Sequence, residues 1–160
     1  MLTIRKAEES DHEAIWRIIK AVIAGGDTYV FDPETSEEEM LAYWFTSDKH
    51  NYVAVDDDEI VATFWLRPNQ PGLGKHVGNA AYMVSPSAHG RGIGKQIGVW
   101  SLDEAKRLGF EAMQFNFVVK SNIAAVKLWK NIGFEIIGEI PDAMYSKNGL
   151  TNAYIMYRKL

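Results

Sequence analysis

Val84-Ser85-Pro86-Ser87-Ala88-His89-Gly90-Arg91-Gly92-Ile93-Gly94-Lys95 stands between a strand-like stretch, residues 79–84, and a helix-like stretch, residues 93–108. Glycines at 90, 92 and 94 leave the backbone N–H groups unshielded by side chains, and Arg91 and Lys95 add positive charge. A helix that begins here presents its unpaired N–H groups and the positive end of its dipole outward. That is chemistry for holding a diphosphate. Two familiar phosphate loops fail on spacing. A Walker A loop would need glycine at 89 and a hydroxyl at 96, where the chain has His89 and Gln96. A dinucleotide fingerprint begun at Gly90 would need glycine at 95, and one begun at Gly92 would need it at 97; the chain has Lys95 and Ile97.

Working outward, residues 2–6 read as a strand. Ser10 and Glu13 have the spacing of a capping box, and Ile15, Ile18, Ile19, Val22 and Ile23 then share one helical face, ended by Gly25-Gly26. Residues 27–35 form a loop carrying Tyr29 and Phe31. Ser36 and Glu39 predict a second capped helix, with Met40, Leu41, Trp44 and Phe45 on its apolar side. Strands at 52–55 and 60–66 join through the acidic turn Asp56-Asp57-Asp58. A Pro/Gly loop at 68–74 leads to a strand at 76–84. After the helix at 93–108 come a strand at 112–119, a helix at 122–132 stopped by Gly133, and strands at 134–140 and 153–158. This order predicts a single α/β (α+β) domain over residues 1–160, with a mixed central sheet of about seven strands and about four helices.

Composition sets the outer limits. The chain is 47% apolar and 24% charged, ordinary values for a packed domain. Its net charge of -4 argues against a general nucleic-acid binder, so the anion site is local. Without cysteine there are no disulfides, thiolate metal ligands or cysteine nucleophiles, and no metal is expected. No apolar run approaches the ~20 residues that span a bilayer. Residues 1–6 lack the apolar core of a signal peptide, which predicts a cytoplasmic protein away from membranes.

The frame His89-Gly90-Arg91-Gly92-Ile93-Gly94 resembles the coenzyme A loop, Arg/Gln-x-x-Gly-x-Gly/Ala, of the Gcn5-related N-acetyltransferase (GNAT) family, with His89 in place of the usual first residue. Asn122-Ile123-Ala124-Ala125-Val126-Lys127-Leu128-Trp129-Lys130-Asn131-Ile132-Gly133-Phe134 resembles that family's second cofactor element, Asn-x-x-Ala-x-x-Leu-Tyr-x-x-x-Gly-Phe. The element order is also the family's. The resemblance implies acetyl-CoA as acyl donor, its pyrophosphate held by backbone N–H groups of His89, Gly90, Arg91, Gly92, Ile93, Gly94 and Lys95. It implies that the preceding strand splays from its neighbour at a bulge. Backbone groups of Tyr82, Met83 and Val84 would then pair with the pantetheine arm like an added strand, one N–H polarising the thioester carbonyl. Asn122 would contact the pantetheine while capping its helix.

Trp129 departs from the family, which often has a tyrosine there as the general acid. An indole N–H is no acid near neutral pH, so Trp129 is expected as a core aromatic against the cofactor arm. The thiolate would leave with help from water or another hydroxyl. Deprotonation of the ammonium substrate falls to water or to His76, histidine being a common general base. Asn79 and Asn116 sit on strands that ill suit asparagine. Their amides would either face the cleft, holding a substrate carboxylate or the thioester oxygen, or bond neighbouring backbone. The pair is similar to that of the family branch acting on proline analogues such as azetidine-2-carboxylate. Tyr29 and Phe31 are expected in the acceptor pocket and Trp44 in the core. The resulting reading is direct acetyl transfer from acetyl-CoA to the amine of a small molecule or amino acid in a ternary complex. The alternatives are acetylation of a protein N-terminus or lysine, and a coenzyme A-binding module without catalysis. Homodimers are common in the family.

Overall fold

A computed structural model describes residues 1–160. Strand β1 (Thr3–Lys6) is followed by helices α1 (His12–Ala24) and α2 (Glu37–Trp44). Strands β2 (His50–Asp56), β3 (Glu59–Pro68) and β4 (Val77–Val84) come next. Helix α3 (Ile93–Arg107), strand β5 (Ala112–Val119) and helix α4 (Ile123–Asn131) precede the hairpin of β6 (Glu135–Ser146) and β7 (Gly149–Lys159). This is the expected order. The seven strands form one sheet, β1-β2-β3-β4-β5-β7-β6, antiparallel except at β4–β5. No helix is long and apolar enough to cross a membrane.

Alternation along β3 explains why both faces of the sheet are covered. Phe64 and Leu66 point to one side and Trp65 to the other, all fully or almost fully buried. Trp65, Val53 and Met83 pack under Ile15, Ile19 and Ile23 of α1 and Met40 and Trp44 of α2. Phe64, Leu66, Met113 and Phe115 pack under Ile93 and Ile97 of α3 and Trp129 of α4.

The splay expected beside β4 is present, but its origin is different. β4 keeps unbroken register with β3 from Gly78 to Val84, so it carries no bulge. It pairs with β5 only at Val77↔Ala112 and Gly78↔Met113. The irregularity lies in β5, between Phe115 and Val118 opposite β7. Gly78 makes the close approach feasible, since a Cβ there would lie 2.7 Å from Met113 Sδ and 3.0 Å from Phe110 Cγ. Beyond that pinch the β5 bulge turns the strand toward β7, and β4 is left with an open edge.

Two local expectations are corrected by longer-range contacts. The Ser10–Glu13 capping box does not form. A 3-10 turn, Glu9–Asp11, precedes α1 instead, and Asp11 Oδ2 accepts from the Glu8 N–H at 2.7 Å. Arg5 of β1 holds both Asp11 oxygens, at 2.8 and 2.9 Å, and lowers that carboxyl below its ordinary value. Ser36 does cap α2, accepting from the Glu39 N–H at 3.2 Å. The last two strands extend well past the expected limits of 140 and 153, because Pro141 and a register shift between Ile140 and Met144 interrupt the alternation without ending the ladder. The hairpin tip rests on the loop after α1: the Lys147 N–H donates to Gly26 O at 3.0 Å, and Lys147 Nζ lies 3.2 Å from Asp27.

Candidate active site

Gly90 and Gly92 adopt φ of 79° and 71°, the left-handed region open to glycine, and place the amides after them at the mouth of the cleft beside β4. The first bond of α3 runs from the Gln96 N–H to Gly92 O at 3.2 Å, so the N–H groups of residues 90–95 have no backbone acceptor. The run is one residue shorter than expected, because the His89 N–H donates to Pro86 O at 3.3 Å. A cleft of about 660 Å³ joins this cradle to the open edge of β4. Tyr82, Met83, Val84, His89, Gly90, Gly92, Ile93, Gly94, Asn122 and Trp129 line it. Arg91 and Lys95 do not: the Arg91 guanidinium is turned to Asp56, which also takes the N-terminal ammonium at 3.2 Å.

Asn122 caps α4, its Oδ1 accepting from the Ala125 N–H at 3.3 Å, while the residue lines the cleft. Trp129 is 8% exposed. Its ring lies 4.8 Å from those of Tyr82 and Phe115. It also fills the space that a side chain at 98 would need, since a Cβ on Gly98 would be 3.1 Å from its Cζ3.

A second cavity, of about 290 Å³, meets the first at Tyr29, Tyr82, Asn122 and Trp129. Phe31, Tyr43, Trp65, Arg67, Asn79 and Asn116 form its other walls. Asn79 and Asn116 both line this cavity. Asn79 is buried, with Oδ1 accepting from the Ala80 N–H at 2.8 Å. Asn116 is exposed and sits in the β5 bulge. Its partners are side chains: Nδ2 donates to Asn69 Oδ1 at 2.7 Å, and Gln114 Nε2 donates to its Oδ1 at 3.0 Å. Trp44 is fully buried, its Nε1 donating to Thr63 Oγ1 at 3.1 Å.

His76 is not brought to the site. It precedes β4 at the closed end of the β4–β5 pair, where its carbonyl accepts from the Glu111 N–H at 2.8 Å, and it lines neither cavity. A strand end reads the same in sequence whether it is the open or the closed end.

One contact at the junction had no signal in the sequence. The Tyr82 backbone faces the open edge of β4, and the Tyr29 hydroxyl engages both its groups, accepting from the N–H at 3.1 Å and donating to the carbonyl. Burial pushes the Tyr29 phenol above its ordinary value, so it stays protonated across the neutral range. The Tyr82 phenol is raised for the same reason and pairs with Ser101 Oγ at 2.7 Å on the other face of the sheet.

A family model described as the acetyltransferase (GNAT) family matches residues 15–134. The chain belongs to that family. Among solved structures, a GCN5-related N-acetyltransferase from Kribbella flavida shares 38% identity at a TM-score of 0.93, covering 99% of this chain and 98% of that one. A GNAT superfamily phosphinothricin acetyltransferase from Sinorhizobium meliloti, solved in complex with acetyl-CoA, aligns at a TM-score of 0.87 over 99% of this chain and 88% of that one. At 21% identity it bears on the fold alone. The N-acetyltransferase aca1 of Schizosaccharomyces pombe is 36% identical over 98 residues, 60% of this chain and 47% of its own length. The chain thus spans less than half of that curated relative. In this GNAT chain the amide cradle, the open strand edge and the second cavity are contiguous, and the Tyr82 backbone stands where they meet.

Proposed function

We propose that this GNAT chain transfers an acetyl group from acetyl-CoA to the amine of a small molecule or amino acid, by direct attack in a ternary complex. The observation that carries the reading is the meeting of two cavities at the Tyr82 backbone, one reaching the free amides of residues 90–95, the other walled by Tyr29, Phe31, Asn79 and Asn116. The pyrophosphate of acetyl-CoA sits on the amide cradle, and the pantetheine arm adds to the edge of β4 beside Asn122. The Tyr82 N–H then polarises the thioester carbonyl. The amine enters from the second cavity, its attack forms the tetrahedral intermediate, and the thiolate leaves. No carboxylate or imidazole lines that second cavity, and in this reading water takes the ammonium proton. Its small volume and aromatic roof favour a small acceptor over a protein segment.

Tyr29 has a defined part in this sequence. Its hydroxyl holds the two Tyr82 groups that the pantetheine arm needs, so donor binding exchanges one partner for the other. Tyr29→Phe removes the competitor. It is expected to lower the stability of the free protein by about 1–2 kcal/mol and to tighten coenzyme A binding severalfold, read by thermal unfolding and calorimetry. Unchanged or weaker coenzyme A binding in a folded Tyr29→Phe protein would show that the hydroxyl stays in place in the bound state.

The direct test is turnover of acetyl-CoA, reading free thiol across a panel of amines and amino acids. Acceptor-dependent thiol release is expected. Tight coenzyme A binding with no release on any acceptor would assign a binding module, and failure to bind coenzyme A would overturn the reading.

A further inference from the structure

We propose that Arg67 anchors a carboxylate of the acceptor, which makes the acceptor an amino acid or another acid-bearing amine. This rests on the transferase reading above and narrows it. Arg67 lies on β3 in the wall of the second cavity, directly across from Asn79, and Trp65 lies across from Ala81. These four residues share the α1/α2 face of the sheet, because cross-strand partners in an antiparallel pair point the same way. The guanidinium leans back over the indole of Trp65, with Cζ 5.2 Å from the ring centroid.

Its charge is poorly answered within the chain. Nε is buried without an acceptor, and the nearest carboxylate, Asp48, is 3.9 Å from Nη1 and half exposed. Lys49 adds a second cation close by, bonded to the Tyr43 carbonyl and 3.8 Å over the Tyr43 ring. Burial first, and then the charge of Arg67, lower the Lys49 ammonium to about 8. Lys49 lies behind the wall, and Arg67 is the one charged residue that lines the acceptor cavity. A guanidinium offers a planar fork of donors that a carboxylate matches with two parallel bonds. Asn79 supports it: with Oδ1 committed to the Ala80 N–H, the end of the amide left to meet a ligand is the donor Nδ2.

The register also sets the length of the acceptor. Tyr82 is one residue beyond Ala81 and three beyond Asn79, roughly 3–10 Å along the strand at about 3.3 Å per residue. An acid group held at Arg67 therefore places an amine a few bonds away beside the Tyr82 backbone. That span suits a free amino acid. A protein lysine has no carboxylate of its own within it.

The test pairs L-proline, L-methionine and L-phenylalanine with their carboxamides, in the wild type, Arg67→Gln and Arg67→Lys. Binding is read by calorimetry without acyl donor, and turnover by thiol release. The wild type is expected to favour at least one acid over its amide by roughly 10- to 100-fold, the range of a hydrogen bond to a charged group. Arg67→Gln should erase that preference, mostly through KM for the acceptor, with coenzyme A binding unchanged. Arg67→Lys should keep part of it, because the charge remains and the fork is lost. Equal use of acids and amides by the wild type, or a preference that survives in Arg67→Gln, would overturn the proposal. The transferase reading fails separately: an acid preference in calorimetry without any thiol release overturns transfer and leaves the anion site standing. Thiol release without an acid preference does the reverse.

Discussion

Gly92→Glu is expected to weaken coenzyme A binding by at least about 100-fold while the chain stays folded, on the reading that the free amides of residues 90–95 hold the pyrophosphate. Gly92 has φ 71°, and a Cβ built on it meets no atom within 4 Å. The folded state therefore loses only the strain of a side chain in the left-handed region, roughly 1–2 kcal/mol. For a chain of this length that lowers Tm by roughly 2–8 °C. The new carboxylate is itself an anion at a helix N-terminus, so it competes for the same donors and repels the diphosphate. Gly92→Ala separates the two effects, since it carries the strain without the charge and should cost binding less than about tenfold. Calorimetry with coenzyme A and a thermal melt suffice. A folded Gly92→Glu protein with unchanged affinity would mean that the diphosphate does not sit on this cradle.

Trp129→Ala is the largest expected loss of stability. The indole is 8% exposed and touches Tyr82, Phe115 and Phe134, and Gly98 lacks a side chain where the ring needs room. Truncating a buried aromatic of this size costs about 3–5 kcal/mol, or very roughly 10 °C in Tm for a chain of this length. The lower part of that range is expected, because both cavities reach Trp129 and water can enter the space left behind. Trp129→Phe should recover most of the stability. It also tests the chemistry. If Trp129 only packs, Trp129→Phe retains thiol release within a few-fold of the wild type. A folded Trp129→Phe protein with turnover down 100-fold or more would instead give the indole N–H a part in the reaction.

Much of the fold was legible because most elements announce themselves over short distances. The isoleucines of α1 repeat at helical spacing, Ser36 and Asn122 stand where their helices need caps, and Gly109 and Gly133 end theirs at positive φ. Legibility failed where a distant partner overrode a local preference. Ser10 and Glu13 have the spacing of a capping box, yet Arg5 on a neighbouring strand stabilises Asp11 more strongly and moves the helix start. The final hairpin ran longer than its pattern, because a bulge interrupts alternation while the backbone ladder continues. In the candidate site, the positions lining the cleft beside β4 were readable from the two motifs and the strand that precedes the first of them. The direction of Arg91 was not, since Asp56 lies 35 residues away and draws its charge out of the cleft.

The chain itself specifies the order of elements and the amide cradle, because glycine conformations and helix N-termini depend on residues a few positions apart. It also specifies the missing phenol at 129. The open edge of β4, the pairing of the Tyr29 hydroxyl with the Tyr82 backbone, and the place of Arg67 beside Asn79 arise only on folding. Each depends on which strands become neighbours and where β5 bulges, and those outcomes come from packing two helical layers on one sheet. Residues far apart in sequence, such as Tyr29 and Tyr82, acquire a chemical relation only when that packing brings their polar groups within bonding distance.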